Sequence, residues 1–141
     1  KGKQKEELIR QLLPLSVPGV FGDGEINALG LNISMRDAVI NSMNILSWQD
    51  GAYKMDPILR QVLFLLYHLY DKEGAKAAYS KLIDNYANLL QQRGQIERFH
   101  KDFGWLGYRY QRILDTLNKL EDSTSELNPK SVLNLLLPAN D

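Results

Sequence analysis

The sequence contains no cysteine, and its acidic and basic residues balance. Without cysteine the chain has no disulfides, no thiolate metal ligands and no cysteine nucleophile. Seventeen basic residues stand against seventeen acidic ones, so no overall charge attracts the chain to nucleic acid or to an anionic membrane. Any such attraction must come from a local patch.

Long apolar runs and common catalytic motifs are also missing. The strongest apolar run, residues 62–67, is far shorter than the ~20 residues that a membrane-spanning helix needs. The sequence has no phosphate-binding glycine loop, no His-x-x-x-His pair and no Gly-x-Ser-x-Gly elbow. The stretch from Asp23 begins like a calcium loop, but Ala28 and Ser34 stand where that loop needs Gly and Glu. We therefore expect a soluble, non-enzymatic protein without metal or cofactor, and the cytoplasm is its expected location.

Helical periodicity is the main positive signal. A chain of 141 residues, 44% of them apolar, can bury a single core. Apolar residues recur at helical spacing in residues 4–13, 34–47, 75–92 and 106–120. Pro14 is expected to end the first of these helices and Gly94 the third. The proline- and glycine-rich residues 14–33 predict a long loop or short extended pieces.

Two further helices are marked by a capping residue followed by proline. Asp56 and Pro57 precede residues 58–70, which are apolar nearly all round and predict a central helix wrapped by others. Asn128 and Pro129 precede a short last helix. The pattern predicts an all-α, irregular helical bundle of about five to six helices with a long N-terminal loop. We expect a helical domain over residues 1–122, followed over 123–141 by a polar linker and a short helix that docks or binds a partner.

Residues 98–112 are the strongest candidate for a binding surface. They hold five aromatic residues and four Lys or Arg, and the chain turns acidic after residue 115. If the residues at helical spacing from Leu106 face the core, the intervening aromatic and basic residues lie outside. Such side chains recur in protein hot spots and in single-strand nucleic-acid sites. The predicted surface comprises Arg98, Lys101, Trp105, Tyr108, Arg109 and Arg112. The alternative is that Phe99, Phe103 and Trp105 close one end of the bundle, with the Arg stems lying over them.

The C-terminal leucines are a second candidate. Residues 129–137 follow a polar linker and carry more leucine than a free terminus leaves in water. We expect them to mediate or regulate association, through Leu133, Leu136 and Leu137.

The two histidines are the remaining candidate functional residues. His68 lies among apolar residues and is expected to be a hydrogen-bonded core or boundary histidine. Six residues separate Arg93 from His100, which is similar to the outer limit of the Arg-to-His spacing in the all-helical HEPN ribonucleases. The likeness covers these two residues, and Gly94 departs from the polar residue usual in that family, so we assign no family.

The leading functional hypothesis is a non-enzymatic protein-interaction or assembly module, binding a protein partner or a second copy of itself. The alternative is a nucleic-acid-binding accessory domain that uses the basic aromatic edge. A metal-independent helical ribonuclease built on Arg93 and His100 is a remote third hypothesis.

Overall fold

Helices make up most of the chain that the structure describes. This computed structural model describes residues 2–31, 46–47, 53–93, 100–122 and 127–136, of which residues 2–5, 8, 46–47, 93 and 100–106 are described by their backbone alone. The helices are α1 Gly2–Leu15, α2 Asp23–Ala28, α3 Pro57–Tyr70, α4 Lys72–Arg93, α5 His100–Asp122 and α6 Pro129–Leu133. Three short strands accompany them, β1 Val20–Phe21, β2 Leu46–Ser47 and β3 Tyr53–Lys54. The prediction of an all-α bundle is confirmed.

Two helices begin where the capping signals predict. At α3 the Asp56 carboxylate accepts a hydrogen bond from the backbone N–H of Leu59 at 3.0 Å, and Pro57 occupies the first turn. At α6 the Asn128 side chain accepts from the backbone N–H of Ser131 at 2.9 Å. Each side chain satisfies a backbone donor that has no partner within its helix.

A single residue, Asp71, separates α3 from α4. Its carboxylate accepts a hydrogen bond from the backbone N–H of Gly74 at 3.0 Å. A Cβ atom at Gly74 would collide with this carboxylate. The connection is therefore shorter than the predicted one over residues 71–74, and it ties the start of α4 to the end of α3.

The first helix runs slightly further than predicted. α1 includes Pro14 and ends at Leu15, whereas the sequence predicts that Pro14 ends it. Pro14 lies in the last turn, where the missing N–H removes one backbone hydrogen bond without interrupting the turns before it. Directly after the helix, the backbone N–H of Ser16 donates to the carbonyls of Leu12 and Leu13 at 3.2 Å.

A small antiparallel sheet joins the N-terminal region to the start of α3. Its strand order is β1-β3-β2, and Lys54 of the central strand pairs with Val20 on one side and Leu46 on the other. The predicted loop over residues 14–33 thus contains an extended piece, β1, and also the short helix α2. The helix predicted over residues 34–47 is wrong at its end, because Leu46 and Ser47 pair with β3 instead. Residues 34–45 lie outside the described residues.

The core lies where α4 and α5 pack against each other. α4 also contacts α2 and α3, and α3 contacts α1 and α6. The predicted apolar stripe of α4 is confirmed, with Ala75, Ala78, Tyr79, Leu82 and Tyr86 all buried. α5 contributes Ile113, Leu117 and Leu120 to the same cluster. Burying each large apolar side chain of this kind is worth roughly 1.5–3 kcal/mol.

Candidate interaction surface

Helix α3 has one buried face and one open face. Arg60, Leu63, Phe64, Tyr67 and His68 are buried. On the other side the exposed fractions are 75% for Ile58, 49% for Val62, 42% for Leu66 and 83% for Tyr70. The prediction that this helix is wrapped on all sides is therefore wrong. We call Ile58, Val62, Leu66 and Tyr70 the α3 face.

The α3 face is a continuous apolar stripe. Its four residues follow one another at intervals of four, so they form a single ridge along the helix. Twelve residues at about 1.5 Å each make the ridge about 18 Å long. The remaining exposed residues of α3 are Pro57 and Gln61, so the open side of the helix carries no charge.

The two basic residues of α3, Arg60 and His68, point into the protein, where His68 bonds to two partners. Its Nδ1 lies 2.8 Å from the Phe64 carbonyl oxygen and its Nε2 lies 2.9 Å from the Tyr79 hydroxyl oxygen. The ring also stacks on Phe64, with 4.0 Å between the ring centroids. Burial lowers the pKa of His68 to about 4, so the imidazole is neutral at physiological pH. The prediction of a hydrogen-bonded core histidine is confirmed.

Arg60 fastens α3 to the end of α1. Its Nε donates to the Ser16 carbonyl and its Nη2 to the Val17 carbonyl, each at 2.9 Å. These carbonyls lie in the turn directly after α1, beside the partial negative charge of the helix end, which suits a guanidinium. Two residues after Val17, Gly19 has φ +74°, and a Cβ there would lie 2.5 Å from the guanidinium carbon of Arg60. The turn is therefore shaped around this side chain.

Arg109 holds the same turn from α5. Its Nη2 donates to the Pro18 carbonyl at 2.7 Å, and its side chain is fully buried. Burial and the nearby charge of Arg109 lower the pKa of Arg60 to about 10, which still leaves Arg60 protonated at neutral pH. We call Arg60, Arg109 and the carbonyls of residues 16–18 the arginine clamp. Because both arginines are buried, the clamp serves the fold and is closed to ligands in solution.

An acidic group from α2 lies close to the clamp. Glu25 accepts a hydrogen bond from the Tyr86 hydroxyl at 3.1 Å and another from the backbone N–H of Gly22 at 2.9 Å. Tyr86 also hydrogen-bonds to Arg109, and burial together with the Glu25 charge raises the pKa of Tyr86. The tyrosine therefore links the carboxylate of α2 to the guanidinium of α5.

The position of Arg109 corrects the predicted basic edge. The sequence places Arg109 on the surface, but the structure buries it completely, because its guanidinium is needed by the turn after α1. Tyr108 is 39% exposed and Arg112 is exposed, with the Arg112 guanidinium carbon 5.9 Å from the centre of the Tyr108 ring. Lys101 and Trp105 belong to α5 in the part described by its backbone, and Arg98 lies outside the described residues.

The C-terminal helix docks on the body and leaves one leucine open. α6 packs against α3, with Val132 fully buried and Leu135 against the core. Of the predicted partner-binding leucines, Leu133 is 38% exposed and Leu136 is partly buried. Leu137 lies outside the described residues.

Arg93 and His100, the two residues of the remote ribonuclease hypothesis, do not lie in one helix. Arg93 is the last residue of α4 and His100 the first of α5. Among the described residues, no three His, Asp or Glu side chains come together in a group that could hold a metal ion. The stretch compared with a calcium loop forms α2, in which Glu25 caps the helix start.

A comparison of this chain with known protein families, curated proteins and solved structures finds no match. None of the described helices is long and apolar enough to span a membrane.

Proposed function

We propose that this chain is a non-enzymatic protein-interaction module whose docking surface is the α3 face. The observation that carries this proposal is the run of four large exposed apolar side chains at Ile58, Val62, Leu66 and Tyr70. Single exposed apolar residues are ordinary, but a contiguous stripe of them marks an interaction site in a folded protein.

The way α3 is anchored also supports a docking role. Its buried side is fixed by the hydrogen bonds of Arg60 to the turn after α1 and of His68 to α4. A rigid helix offers its open face in one conformation, which lowers the entropy lost when a partner binds. Among the described residues of the predicted tail, Leu133 of α6, the helix that packs against α3, is exposed and available for contact.

The nucleic-acid alternative has less support. Phosphate binding needs a concentrated basic surface, and the burial of Arg109 removes one of its predicted members. Tyr108 and Arg112 are exposed, and the next turn of α5 also exposes the acidic Asp115. We retain the cytoplasm as the proposed location of the module.

Affinity capture from a lysate of the source cells, followed by nuclease treatment, tests the proposal. We expect captured proteins to survive the treatment and to be lost from an Ile58→Glu variant. This substitution suits the fold, because the site is 75% exposed and lies in the first turn of α3, where an acidic side chain is favourable. Two variants serve as controls: Gln61→Glu adds the same charge to α3 outside the α3 face, and Arg112→Gln alters the basic edge.

Two results would contradict the proposal. In the first, nuclease treatment abolishes the capture; in the second, the Arg112→Gln variant loses the captured proteins while the Ile58→Glu variant retains them. Either result would instead favour the nucleic-acid hypothesis.

A further inference from the structure

The composition of the α3 face restricts the surface that can pair with it. α3 contains no acidic residue, and its two basic residues, Arg60 and His68, are buried. The face therefore has no charge with which to attract or orient a charged partner. Its complement must be an apolar, uncharged ridge of similar length.

We infer that a second copy of this chain supplies that ridge, so that two α3 faces pack against each other around a twofold axis. This inference rests on the proposed function, since it names the occupant of the same surface. The α3 face is its own complement: a row at intervals of four packs into the groove beside an identical row when the helices cross at about −50°. The formal net charge of the chain is zero, so two copies approach without long-range repulsion.

The size of the face also fits two copies. From their exposed fractions, the four residues present on the order of 500 Å² of surface, most of it apolar. Two copies would together bury on the order of 1,000 Å², which is the lower limit for a specific interface. We therefore expect a reversible dimer with a Kd of roughly 1–100 μM.

The geometry assigns positions to individual residues. Val62 and Leu66 occupy the middle of the ridge and lie nearest the twofold axis, so Val62 of one copy lies close to Val62 and Leu66 of the other. Ile58 and Tyr70 stand at the two ends and flank the crossing point. A charge placed at Val62 therefore meets its own copy across the axis.

Sedimentation over about 1–200 μM protein tests the inference. We expect the unmodified protein to rise from its chain mass of 16.1 kDa towards twice that value. Val62→Glu alone and Val62→Lys alone should each weaken dimerisation at least tenfold, because like charges meet at the axis. An equimolar mixture of the two variants should recover the dimer, a result that a folding defect cannot produce. The corresponding Gln61→Glu and Gln61→Lys variants are matched controls, since Gln61 is exposed on the same helix outside the α3 face, and both should dimerise normally.

The possible failures are distinguishable. A protein that is monomeric at every concentration overturns the inference, and the proposed function survives if Ile58→Glu still abolishes capture of a different protein. A dimer that persists in both separate Val62 variants also overturns the inference, because the interface then lies elsewhere. A monomer whose partner capture is unaffected by Ile58→Glu overturns both the inference and the proposed function.

Discussion

Acidification from about pH 8 to about pH 5 should destabilise this protein through His68. The imidazole is fully buried in the folded chain and exposed to water in the unfolded chain. Burial lowers its pKa from 6.5 to about 4. The unfolded chain therefore binds the proton at a pH where the folded chain does not, and protonation favours unfolding.

The hydrogen bonds of His68 explain why the folded chain resists the proton. In the neutral ring Nδ1–H donates to the Phe64 carbonyl, and Nε2 accepts from the Tyr79 hydroxyl. Protonation turns Nε2 into a donor, so the Tyr79 hydroxyl must rotate away and lose its acceptor. Burial also raises the pKa values of Tyr67 and Tyr79, so the two tyrosines in contact with the ring are neutral in this range and offer the imidazolium no negative charge.

The size of the effect follows from the two pKa values of His68. Because the pKa of the folded state is the lower one, the stabilisation is fully present above pH 6.5 and falls as the pH drops towards 4. Between these limits the free energy of unfolding should fall by about 1.4 kcal/mol per pH unit. At pH 5 the loss should be about 2 kcal/mol, which is a large fraction of the stability of a small domain.

Urea denaturation at several pH values measures this loss. The informative comparison is with His68→Gln, whose amide can donate to the Phe64 carbonyl and accept from Tyr79 but does not titrate. That variant should be less stable at pH 8 and should lose about 2 kcal/mol less than the unmodified protein on acidification. His100→Gln, which replaces the other histidine, is the matched control and tests whether the difference is specific to position 68. An equal loss in His68→Gln and in the unmodified protein would refute the reasoning.

Two further predictions separate buried from exposed members of the same helix. Arg109→Ala should lower the free energy of unfolding by about 2–4 kcal/mol, because it opens a cavity and leaves the Pro18 carbonyl without its donor. Arg112→Ala should change it by less than about 0.5 kcal/mol. Thermal or urea melts that rank the two variants in the opposite order would place Arg109 outside the core. Leu63→Ala should lower the free energy of unfolding by about 2–5 kcal/mol, and Leu66→Ala by clearly less, because Leu66 is 42% exposed. Equal losses of stability in urea denaturation would show that the α3 face is covered.

Local signals in the sequence predict the elements that depend on few neighbours. The Asp56–Pro57 and Asn128–Pro129 pairs locate two helix starts, because capping is decided within one turn. The spacing of apolar residues from Ala75 predicts the buried stripe of α4. Leu46 and Ser47 show where such signals fail: their strand exists because β3 pairs with it, and a periodic pattern carries no information on that pairing.

The α3 face and the basic edge of α5 are harder to predict, because the spacing of residues along a helix does not show which side of the helix is buried. Two rows of α3 residues repeat every four positions. The row that begins at Arg60 contains both basic residues of the helix and is buried, whereas the apolar row that begins at Ile58 is exposed. The carbonyls of Ser16 and Val17 in the turn after α1 accept hydrogen bonds from the Arg60 guanidinium. These two residues precede Arg60 by 44 and 43 positions in the sequence. The prediction that Arg109 lies on the surface is wrong for the same reason, because its acceptor, the Pro18 carbonyl, lies 91 positions away in the sequence.

The arginine clamp has a consequence for the order in which the chain folds. α3 and α4 are separated by one residue and can pair early, since closing a short loop costs little entropy. The bond from Arg109 to Pro18 closes a loop of 91 residues and depends on α5 being in place. We therefore expect the turn after α1 to become ordered late, so that its mutations speed unfolding more than they slow folding. In hydrogen exchange α1 should be among the first helices to open, while α4 stays protected until the whole chain unfolds.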